Sequence, residues 1–348
     1  MMHSLFAPVS LPDQTFLTQG LEHQTQLTKP PGSLGRLESL AARVCSMQSS
    51  NQPNLRNIHV SIFAADHGIA DEGVSAFPQV VTQEMVKNFV AGGAAVNVLA
   101  RECQASFEVI DVGLIQAVES SNVLRKRAGH GTSNFRLLPA MTAAQLSIAL
   151  EAGKEAVERA ISHQSDLFIG GEMGIANTTS ASAMAAALLD LSVLDLTGAG
   201  TGLNAHQIGH KASVIEAGLA LHAEAMTTPL EIVRHLGGFE IAALTSAYIH
   251  AAQARLPVMI DGFISSVAAL MAVQINADCA DWFFYGHRSA EKGHTLVLEA
   301  LQAEPILDLN MRLGEASGAL MAVPILQRAC RLHNEMATFA QAHITTGG

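Results

Sequence analysis

A single carboxylate, Glu315, lies in the segment RLGEASGAL, surrounded by glycine, alanine and serine. The apolar residues that follow it predict a helix. A glutamate at a helix start can simply stabilise the positive end of the helix dipole. Because small neighbours let a ligand approach closely, Glu315 is also a candidate base for proton transfer. The segment leaves both interpretations open. It also leaves the direction of the Glu315 pKa shift open, because a helix start lowers the pKa and burial raises it.

A second segment, GGEMGIANTTSASAMAAALL (170–189), joins a predicted strand to a predicted helix through a glycine-rich turn. Asn177, Thr178 and Thr179 offer side-chain oxygens that can cap such a helix. The free N–H groups of a helix start attract anions such as phosphate. Ordinary strand–turn–helix connections use the same residue types, so a phosphate site and a purely structural turn both fit the pattern.

A third glycine-rich segment, TGAGTGL (197–203), matches neither the G-x-G-x-x-G dinucleotide pattern nor a Walker loop. Lys211 follows it at the start of a predicted helix. Lysine is a common partner of phosphate, although a lone lysine is usually a solvated surface residue. The loop and the lysine are therefore candidates for phosphate binding.

The segment ADHGIADEGVSAFPQ (65–79) joins another predicted strand to a loop and a helix. Asp66 and His67 could bind a metal ion or act as an acid and a base. Alternatively, Asp66 caps a turn and His67 forms a hydrogen bond to the backbone. Phe77 and, in the next helix, Met85 could form a wall against a flat ring or could belong to the core.

The 15 histidines raise the question of a metal site. His206 and His210 are four residues apart, but no H-E-x-x-H pattern or matching acid completes a set of ligands. The four cysteines form no C-x-x-C pair, so neither a zinc ribbon nor a disulfide framework is predicted. We therefore expect no metal.

Several of these segments follow short apolar runs that predict strands, at 58–65, 107–112, 166–170, 257–260 and 282–285. The runs are continuous rather than alternating, as in strands of a parallel sheet that is covered on both faces. Alanine-rich segments predict helices over 81–102, 142–163, 179–189, 210–225 and 241–254. The alternation predicts an α/β fold with an open, mainly parallel, Rossmann-like sheet and helices on both faces. Its ligand crevice is expected beyond the carboxyl ends of the strands.

The two ends of the chain are predicted to be helical and to contain no strand. We predict a large α/β domain over 51–314, which holds the crevice, and a small helical subdomain formed by 1–50 together with 315–348. The segment KPPGSLGRLE (29–38) lies in this subdomain. Its Lys29 and Arg36 could meet an anion, or the segment could fasten the N-terminal helices to the sheet.

Composition excludes several classes of protein. The 348 residues are 49% hydrophobic and 15% charged, which is enough apolar sequence for a large core. The net charge of −11 argues against a broad nucleic-acid surface, which needs a basic stripe. No apolar run reaches the roughly 20 residues of a membrane span. The first residues lack the features of a signal peptide, so we expect a soluble cytoplasmic protein.

Seven segments, taken in order, resemble the nicotinate-nucleotide–dimethylbenzimidazole phosphoribosyltransferase family: KPPGSLGRLE, ADHGIADEGVSAFPQ, GGEMGIANTT, GAGTGL, DGFISS, SAEKGH and RLGEASGAL. Seven ordered motifs are far more specific than one glycine loop. The resemblance implies a pentosyltransferase that transfers the phosphoribosyl group of nicotinate mononucleotide to 5,6-dimethylbenzimidazole or a related base. Nicotinate and α-ribazole 5′-phosphate would be the products, in the assembly of the cobalamin nucleotide loop.

The resemblance also implies roles for individual residues. Glu315 would be the catalytic base, and Glu172 a second acid close to the ribose. The residues implied to bind the phosphoribosyl group or nicotinate are Gly174, Asn177, Thr178, Gly202, Lys211 and Ser289. The residues implied to line the benzimidazole slot are Phe77, Met85 and Leu313. The family further implies a homodimer and a reaction without a cofactor.

Two other classes of function compete with this one. A regulatory or scavenging nucleotide-binding protein would use the same phosphate site without chemistry. A Rossmann-type oxidoreductase is disfavoured because the G-x-G-x-x-G pattern is missing. Release of nicotinate only when the acceptor base is present distinguishes the transferase from both.

Overall fold

The computed structural model of the chain describes residues 2–200 and 202–345. Within these residues it contains one sheet of six parallel strands, in the order β3-β2-β1-β4-β5-β6. The strands are β1 Ile58–Ala65, β2 Ser106–Gly113, β3 Val123–Arg125, β4 Leu167–Met173, β5 Val258–Ile260 and β6 Phe283–Tyr285. The strand order reverses between β1 and β4, and a ligand crevice is expected at such a point.

Helices cover the sheet on both faces. They are α1 Gln14–Gln26, α2 Arg36–Gln48, α3 Val80–Ala91, α4 Ala95–Glu102, α5 Ala143–Ser162, α6 Asn177–Leu189, α7 Val193–Leu196, α8 Ala205–His222, α9 Pro229–Leu236, α10 Phe239–Gln253, α11 Phe263–Ile275, α12 His294–Ala300 and α13 Ser317–Glu335. Short 3₁₀ helices occur at Met2–Phe6, Gly68–Glu72 and Ala277–Trp282. None of the helices described is both long and apolar enough to cross a membrane.

The five predicted strands are confirmed, with ends that shift by up to three residues. The edge strand β3 was not predicted. Its three residues make a run too short to stand out from the polar loop around it. The predicted helix over 81–102 is two helices, because Gly92 takes a left-handed φ of 79° and ends α3.

The glycine-rich turn predicted after the strand 166–170 is wrong in one respect: Gly171, Glu172 and Met173 still belong to strand β4. The two glycines are required by packing on opposite faces of the strand. A side chain at Gly170 would come within 2.5 Å of Leu244 on α10, and one at Gly171 would overlap Ile62 of β1 and Ala316. The strand therefore continues through both glycines and places Glu172 near its end.

The helices from the two ends of the chain lie together. Helix α1 packs against α2, and α13 packs against α2, as the subdomain prediction requires. Helix α13 also contacts α4 and β4 of the sheet layer. The division into 51–314 and a unit of 1–50 with 315–348 stays a prediction.

Candidate active site

A cavity of about 420 Å³ opens at the carboxyl ends of β4, β5 and β6. It lies beside the reversal of strand order, where the fold predicts a ligand crevice. Nine of the predicted site residues line it: Phe77, Met85, Glu172, Gly174, Asn177, Thr178, Ser289, Leu313 and Glu315. Residues far apart in the sequence are thus brought to one place by the parallel sheet.

Glu172, the last but one residue of β4, is 5% exposed. Asn177 donates a hydrogen bond from Nδ2 to its Oε2, and the backbone N–H of Glu315 lies 3.4 Å from its Oε1. Burial raises the pKa of Glu172 to about 8, with a further rise from the charges of Asp261 and Glu240 that the Asn177 hydrogen bond only partly offsets. Glu172 is therefore a carboxyl that carries or releases a proton near neutral pH.

Glu315 lies in a strained segment just before α13. Gly314, Glu315 and Ala316 all take left-handed φ angles, of 82°, 57° and 60°. Such angles are unfavourable for residues with a side chain and are concentrated at functional sites. A side chain at Gly314 would be strained at this φ and would displace Oε1 of Glu172. The segment places the backbone of Glu315 next to the carboxyl group of Glu172.

The interpretation of Glu315 as a helix acid is not supported by the structure. Helix α13 begins at Ser317, and Oδ1 of Asp261 accepts a hydrogen bond of 2.8 Å from the backbone N–H of Ala319 in its first turn. Glu315 instead lines the cavity and is 6% exposed. Burial, and then the charge of Asp261, raise the pKa of Glu315 to about 7. The direction that the sequence left open is therefore upward.

The predicted phosphate turn lies between β4 and α6. A side chain at Gly174 would come within 2.6 Å of the Ala65 carbonyl oxygen, so glycine is needed there, and Gly174 lines the cavity. Ala176 has a left-handed φ of 77°, and α6 begins at Asn177. Thr178 also faces the cavity. The turn and the first residues of a thirteen-residue helix form the kind of cradle that binds phosphate.

Lys211 and Gly202 are not among the residues that line the cavity in the part of the chain described. Lys211 is fully buried, and its Nζ donates a hydrogen bond of 2.8 Å to Oγ1 of Thr178. Burial lowers the Lys211 pKa to about 8. Gly202 is exposed, and Gly200 of the same loop lines the cavity instead. Thr201, within the predicted GAGTGL motif, lies outside the described residues.

Asp66 and His67 lie below the cavity rather than in it. Oδ2 of Asp66 accepts a hydrogen bond of 2.7 Å from the backbone N–H of Ile115, which follows strand β2, so this bond is not the local turn cap that the sequence offered. His67 is paired with side chains: Nε2 lies 2.7 Å from Oε1 of Glu240, and Nδ1 lies 3.1 Å from Oγ of Ser180. Within residues 2–200 and 202–345, no group of three His, Cys, Asp or Glu side chains is placed to hold a metal ion.

One wall of the cavity is apolar. Phe77 and Leu313 are half exposed at its mouth, at 51% and 56%. Met85 lies deeper, with Val81 beside it on α3. Apolar side chains opposite carboxyl groups suit an aromatic ring that must also lose a proton.

Comparison with known proteins identifies the family. A family model described as Phosphoribosyltransferase matches residues 9–344. The chain belongs to this family. A relative from Azotobacter vinelandii, named nicotinate-nucleotide–dimethylbenzimidazole phosphoribosyltransferase, is 52% identical over the whole length of both chains. A relative of the same name from Xanthomonas oryzae pv. oryzae is also 52% identical, over 98% of each chain.

Solved structures agree with this phosphoribosyltransferase assignment. The crystal structure of the protein of that name from Thermus thermophilus matches with a TM-score of 0.91. The match is 39% identical in sequence and covers 96% of this chain and 100% of that chain. The resemblance inferred from the seven segments and the predicted α/β fold are thereby confirmed.

Sequence reasoning missed three charged residues that line this phosphoribosyltransferase site, Asp261, Glu291 and Arg312. Arg312 lines the cavity, and its Nη1 donates a hydrogen bond of 3.0 Å to the carbonyl oxygen of Gly200. Asp261 also lines the cavity and is buried. The three residues lie in segments that the sequence had singled out, DGFISS, SAEKGH and RLGEASGAL, but nothing in those segments separates their roles from those of their neighbours.

The segment KPPGSLGRLE is structural. Nζ of Lys29 forms an ion pair of 2.8 Å with Glu38, and both side chains are largely buried. Arg36 donates hydrogen bonds to the carbonyl oxygens of Pro305 and Glu304. These contacts fasten the N-terminal helices to the loop before the active-site segment, and they occupy both cations that could have met an anion.

Proposed function

We propose that this phosphoribosyltransferase transfers the phosphoribosyl group of nicotinate mononucleotide to 5,6-dimethylbenzimidazole or a related base. The products are nicotinate and α-ribazole 5′-phosphate, used in the assembly of the cobalamin nucleotide loop. Relatives with that printed name match the chain over its full length at 52% identity. The seven ordered motifs support the same reaction.

One observation carries the proposal. A buried carboxyl group, Glu315, faces an apolar slot and lies next to a helix-start cradle for phosphate. Its pKa of about 7 lies in the neutral pH range. A general base is most effective when its pKa is near the working pH. A nucleotide-binding protein without catalysis would have no use for this arrangement.

The reaction can be followed bond by bond. The lone pair of one ring nitrogen of the base attacks C1′ of the ribose. The bond from C1′ to the pyridinium nitrogen breaks, and its electron pair stays on nicotinate, whose ring nitrogen becomes neutral. The new azolium then gives the N–H proton of its other nitrogen to Glu315. Since the leaving ring needs no proton and the azolium is acidic, one carboxylate is a sufficient base.

Two other acidic residues of the cavity are proposed to stabilise charge on the ribose. As the C1′ bond breaks, the ribose gains positive charge, and fixed negative groups stabilise such charge strongly in a dry site. We assign this role to the ionised form of Glu172, which its pKa of about 8 allows in part near neutral pH, with Asp261 beside it. Inverting attack from the face opposite nicotinate gives the α anomer, which requires the acceptor base and nicotinate to lie on opposite sides of the ribose.

The phosphate group and the two aromatic rings are assigned to different parts of the cavity. We assign the 5′-phosphate to the cradle of Gly174, Asn177 and Thr178, with Gly202 at the adjoining loop. Lys211 acts there through its hydrogen bond to Thr178. Ser289 is assigned to the nicotinate or ribose side, and Phe77, Met85 and Leu313 to the benzimidazole slot. Arg312, at the mouth of the cavity, is a further cation for the phosphate.

Assembly and location are also part of the proposal. The family resemblance supports a homodimer in the cytoplasm, with small molecules as its only other partners. The net charge of −11 supports the absence of a nucleic-acid partner. Light scattering of the purified protein measures the mass of the assembly, and a mass of one chain would contradict the dimer.

The purified protein should be incubated with nicotinate mononucleotide, with and without 5,6-dimethylbenzimidazole, and both products measured by mass spectrometry. We expect nicotinate and the ribosylated base in equal amounts, and only when the base is present. Binding of both molecules without nicotinate release would support a regulatory or scavenging protein instead. Competition among benzimidazole, purine and phenolic acceptors in the same assay identifies the preferred base.

A further inference from the structure

His294, in the segment SAEKGH, has no role in the reaction just described. It is the first residue of α12 and is completely buried. Its ring lies between the loop that follows β6, which contains Ser289, and helix α11, which contains Phe263. Both Ser289 and Phe263 line the active-site cavity. A polar ring buried between two walls of a site must have hydrogen-bond partners, and these reveal its role.

Both ring nitrogens of His294 have a partner. The backbone N–H of Ser289 lies 2.7 Å from Nδ1, and Oγ of Ser266 on α11 lies 2.9 Å from Nε2. A backbone N–H can only donate, so Nδ1 must be the acceptor and carry no proton. The neutral ring therefore has its proton on Nε2 and donates it to Ser266. The local geometry fixes a single tautomer.

The same geometry excludes the charged ring. A protonated imidazole would point an N–H group at the N–H group of Ser289. Burial, and then the nearby His287 and Arg288, lower the pKa of His294 to about 3. The ring of His287 has its centroid 6.3 Å from that of His294. The acceptor at Nδ1 is thus present throughout the neutral pH range.

The contacts of His294 extend to the cavity on two sides. On one side it holds the backbone of Ser289, whose Oγ accepts a hydrogen bond of 3.3 Å from the N–H of Glu291. On the other side it is joined to Ser266 in the first turns of α11, and the Phe263 ring packs against it edge to face. One side chain therefore sets the distance between the loop and the helix that enclose this part of the site.

We propose that His294 is a positioning residue, whose Nδ1 holds the Ser289 loop in the conformation that receives nicotinate mononucleotide. The inference rests on the proposed function, in which Ser289 lies on the nicotinate or ribose side. It does not assign His294 any contact with the substrate. Loss of the acceptor would leave the buried N–H of Ser289 without a partner and release the loop.

Two substitutions at His294 distinguish the roles of its two ring nitrogens. In His294→Asn, the amide oxygen stands where Nδ1 was and can accept from Ser289. In His294→Gln, the longer side chain puts its amide group where Nε2 was, which keeps the bond to Ser266 and loses the acceptor for Ser289. We expect His294→Gln to raise KM for nicotinate mononucleotide about tenfold, the size of one unsatisfied buried N–H group. KM for the base and kcat should change less than about threefold, and His294→Asn should recover most of the loss.

Equal losses in the two variants, or no change in KM for nicotinate mononucleotide in His294→Gln, would overturn the proposal. Circular dichroism and thermal unfolding show whether each variant is folded. A second measurement, by NMR, uses only the wild-type protein and does not depend on activity. Nitrogen NMR of the wild-type protein should show the Nε2–H tautomer of His294 without titration between pH 6 and 8, and a protonated Nδ1 would also overturn the proposal. Absence of turnover in the wild type would count against the proposed function alone, since the NMR result still decides the tautomer.

Discussion

A partly buried carboxyl group near the start of one strand and a buried one near the end of its neighbour but one in the sheet behave in opposite ways. Near the start of β2, Glu108 accepts two hydrogen bonds from Arg159, at 2.7 and 3.1 Å, and one from Ser61 at 2.7 Å. Burial alone would raise its pKa, but hydrogen bonds from His59, Arg159 and Ser61 outweigh burial and hold the pKa at about 2. At the end of β4, burial is not outweighed, and the pKa of Glu172 rises to about 8.

The difference is that the charge of Glu108 is paired within the folded protein, whereas Glu172 and Glu315 have no ion pair among the residues that the structure describes. Glu108 and Arg159 satisfy each other in the folded protein alone, so their pair contributes to stability. Glu172, Glu315 and Asp261 are acidic groups placed together, and the charge of Asp261 raises the pKa values of the other two. Such a cluster is unfavourable until positive charge develops next to it, as it does on the ribose and the azole during transfer. The carboxyl group near the start of β2 thus contributes to stability, and those at the cavity are available for the reaction.

The largest expected effect comes from removing the base. Glu315→Gln should lower turnover by about 10²–10⁴-fold, the usual contribution of one general base, and leave binding of nicotinate mononucleotide nearly unchanged. Nicotinate release and isothermal titration calorimetry measure the two quantities. Near-wild-type turnover in Glu315→Gln would show that the carboxylate at the end of the sheet is not the base.

The matched change at the other end of the sheet should affect stability instead. Glu108→Gln leaves Arg159 without its partner and should lower the free energy of unfolding by about 2–3 kcal/mol, less than a fully buried pair because Arg159 is partly exposed. Urea unfolding at pH 7 measures this. The pKa of Glu108 is lowered in the folded state, so its contribution is complete above about 4.5 and is lost as the pH falls toward about 2. Turnover per folded molecule should not change, and a loss like that of Glu315→Gln would break the comparison.

The sequence predicted much of this arrangement because the relevant signals are local. The run at 58–65 is strand β1 residue for residue, since a continuous apolar run in a parallel sheet needs no distant partner to be recognised. The motifs at the strand ends follow from the same rule, because carboxyl ends of parallel strands meet at one edge. Asn177 and Thr178 were found from helix-start chemistry and do lie at the cavity.

The parts that were not predicted depend on distant contacts. Glu108 and Arg159 are 51 residues apart, and no local pattern pairs them. Gly171 of β4 was interpreted as part of a turn, although a side chain there would overlap Ile62 and Ala316, which are distant in the sequence. The role of Asp261 as acceptor for α13 and the upward shift of the Glu315 pKa both depend on which residues become neighbours.

The pH dependence of the reaction sharpens the comparison further. Glu315 must be unprotonated to act as a base, and its pKa is about 7. We therefore expect kcat/KM to fall about tenfold for each pH unit below that value. Initial rates between pH 5 and 9 measure the profile. The residual activity of Glu315→Gln should lack this limb, whereas Glu108→Gln should retain it at every pH where that variant is folded.

The smallest expected effect is a gain in stability from the same substitution that removes activity. The folded-state pKa of Glu315 lies above its ordinary value of 4.5, so the folded protein binds more protons than the unfolded chain between about 4.5 and 7. Stability therefore falls as the pH rises through this window, and the full cost of the buried charge is present above about 7. Glu315→Gln removes that charge and should raise the free energy of unfolding at pH 8 by about 1 kcal/mol. The gain should disappear near pH 4.5, where Glu315 is protonated in the folded state. Thermal unfolding of the wild type and the variant at both pH values measures the difference, and a variant less stable than the wild type at pH 8 would mean that Glu315 is a structural group like Glu108.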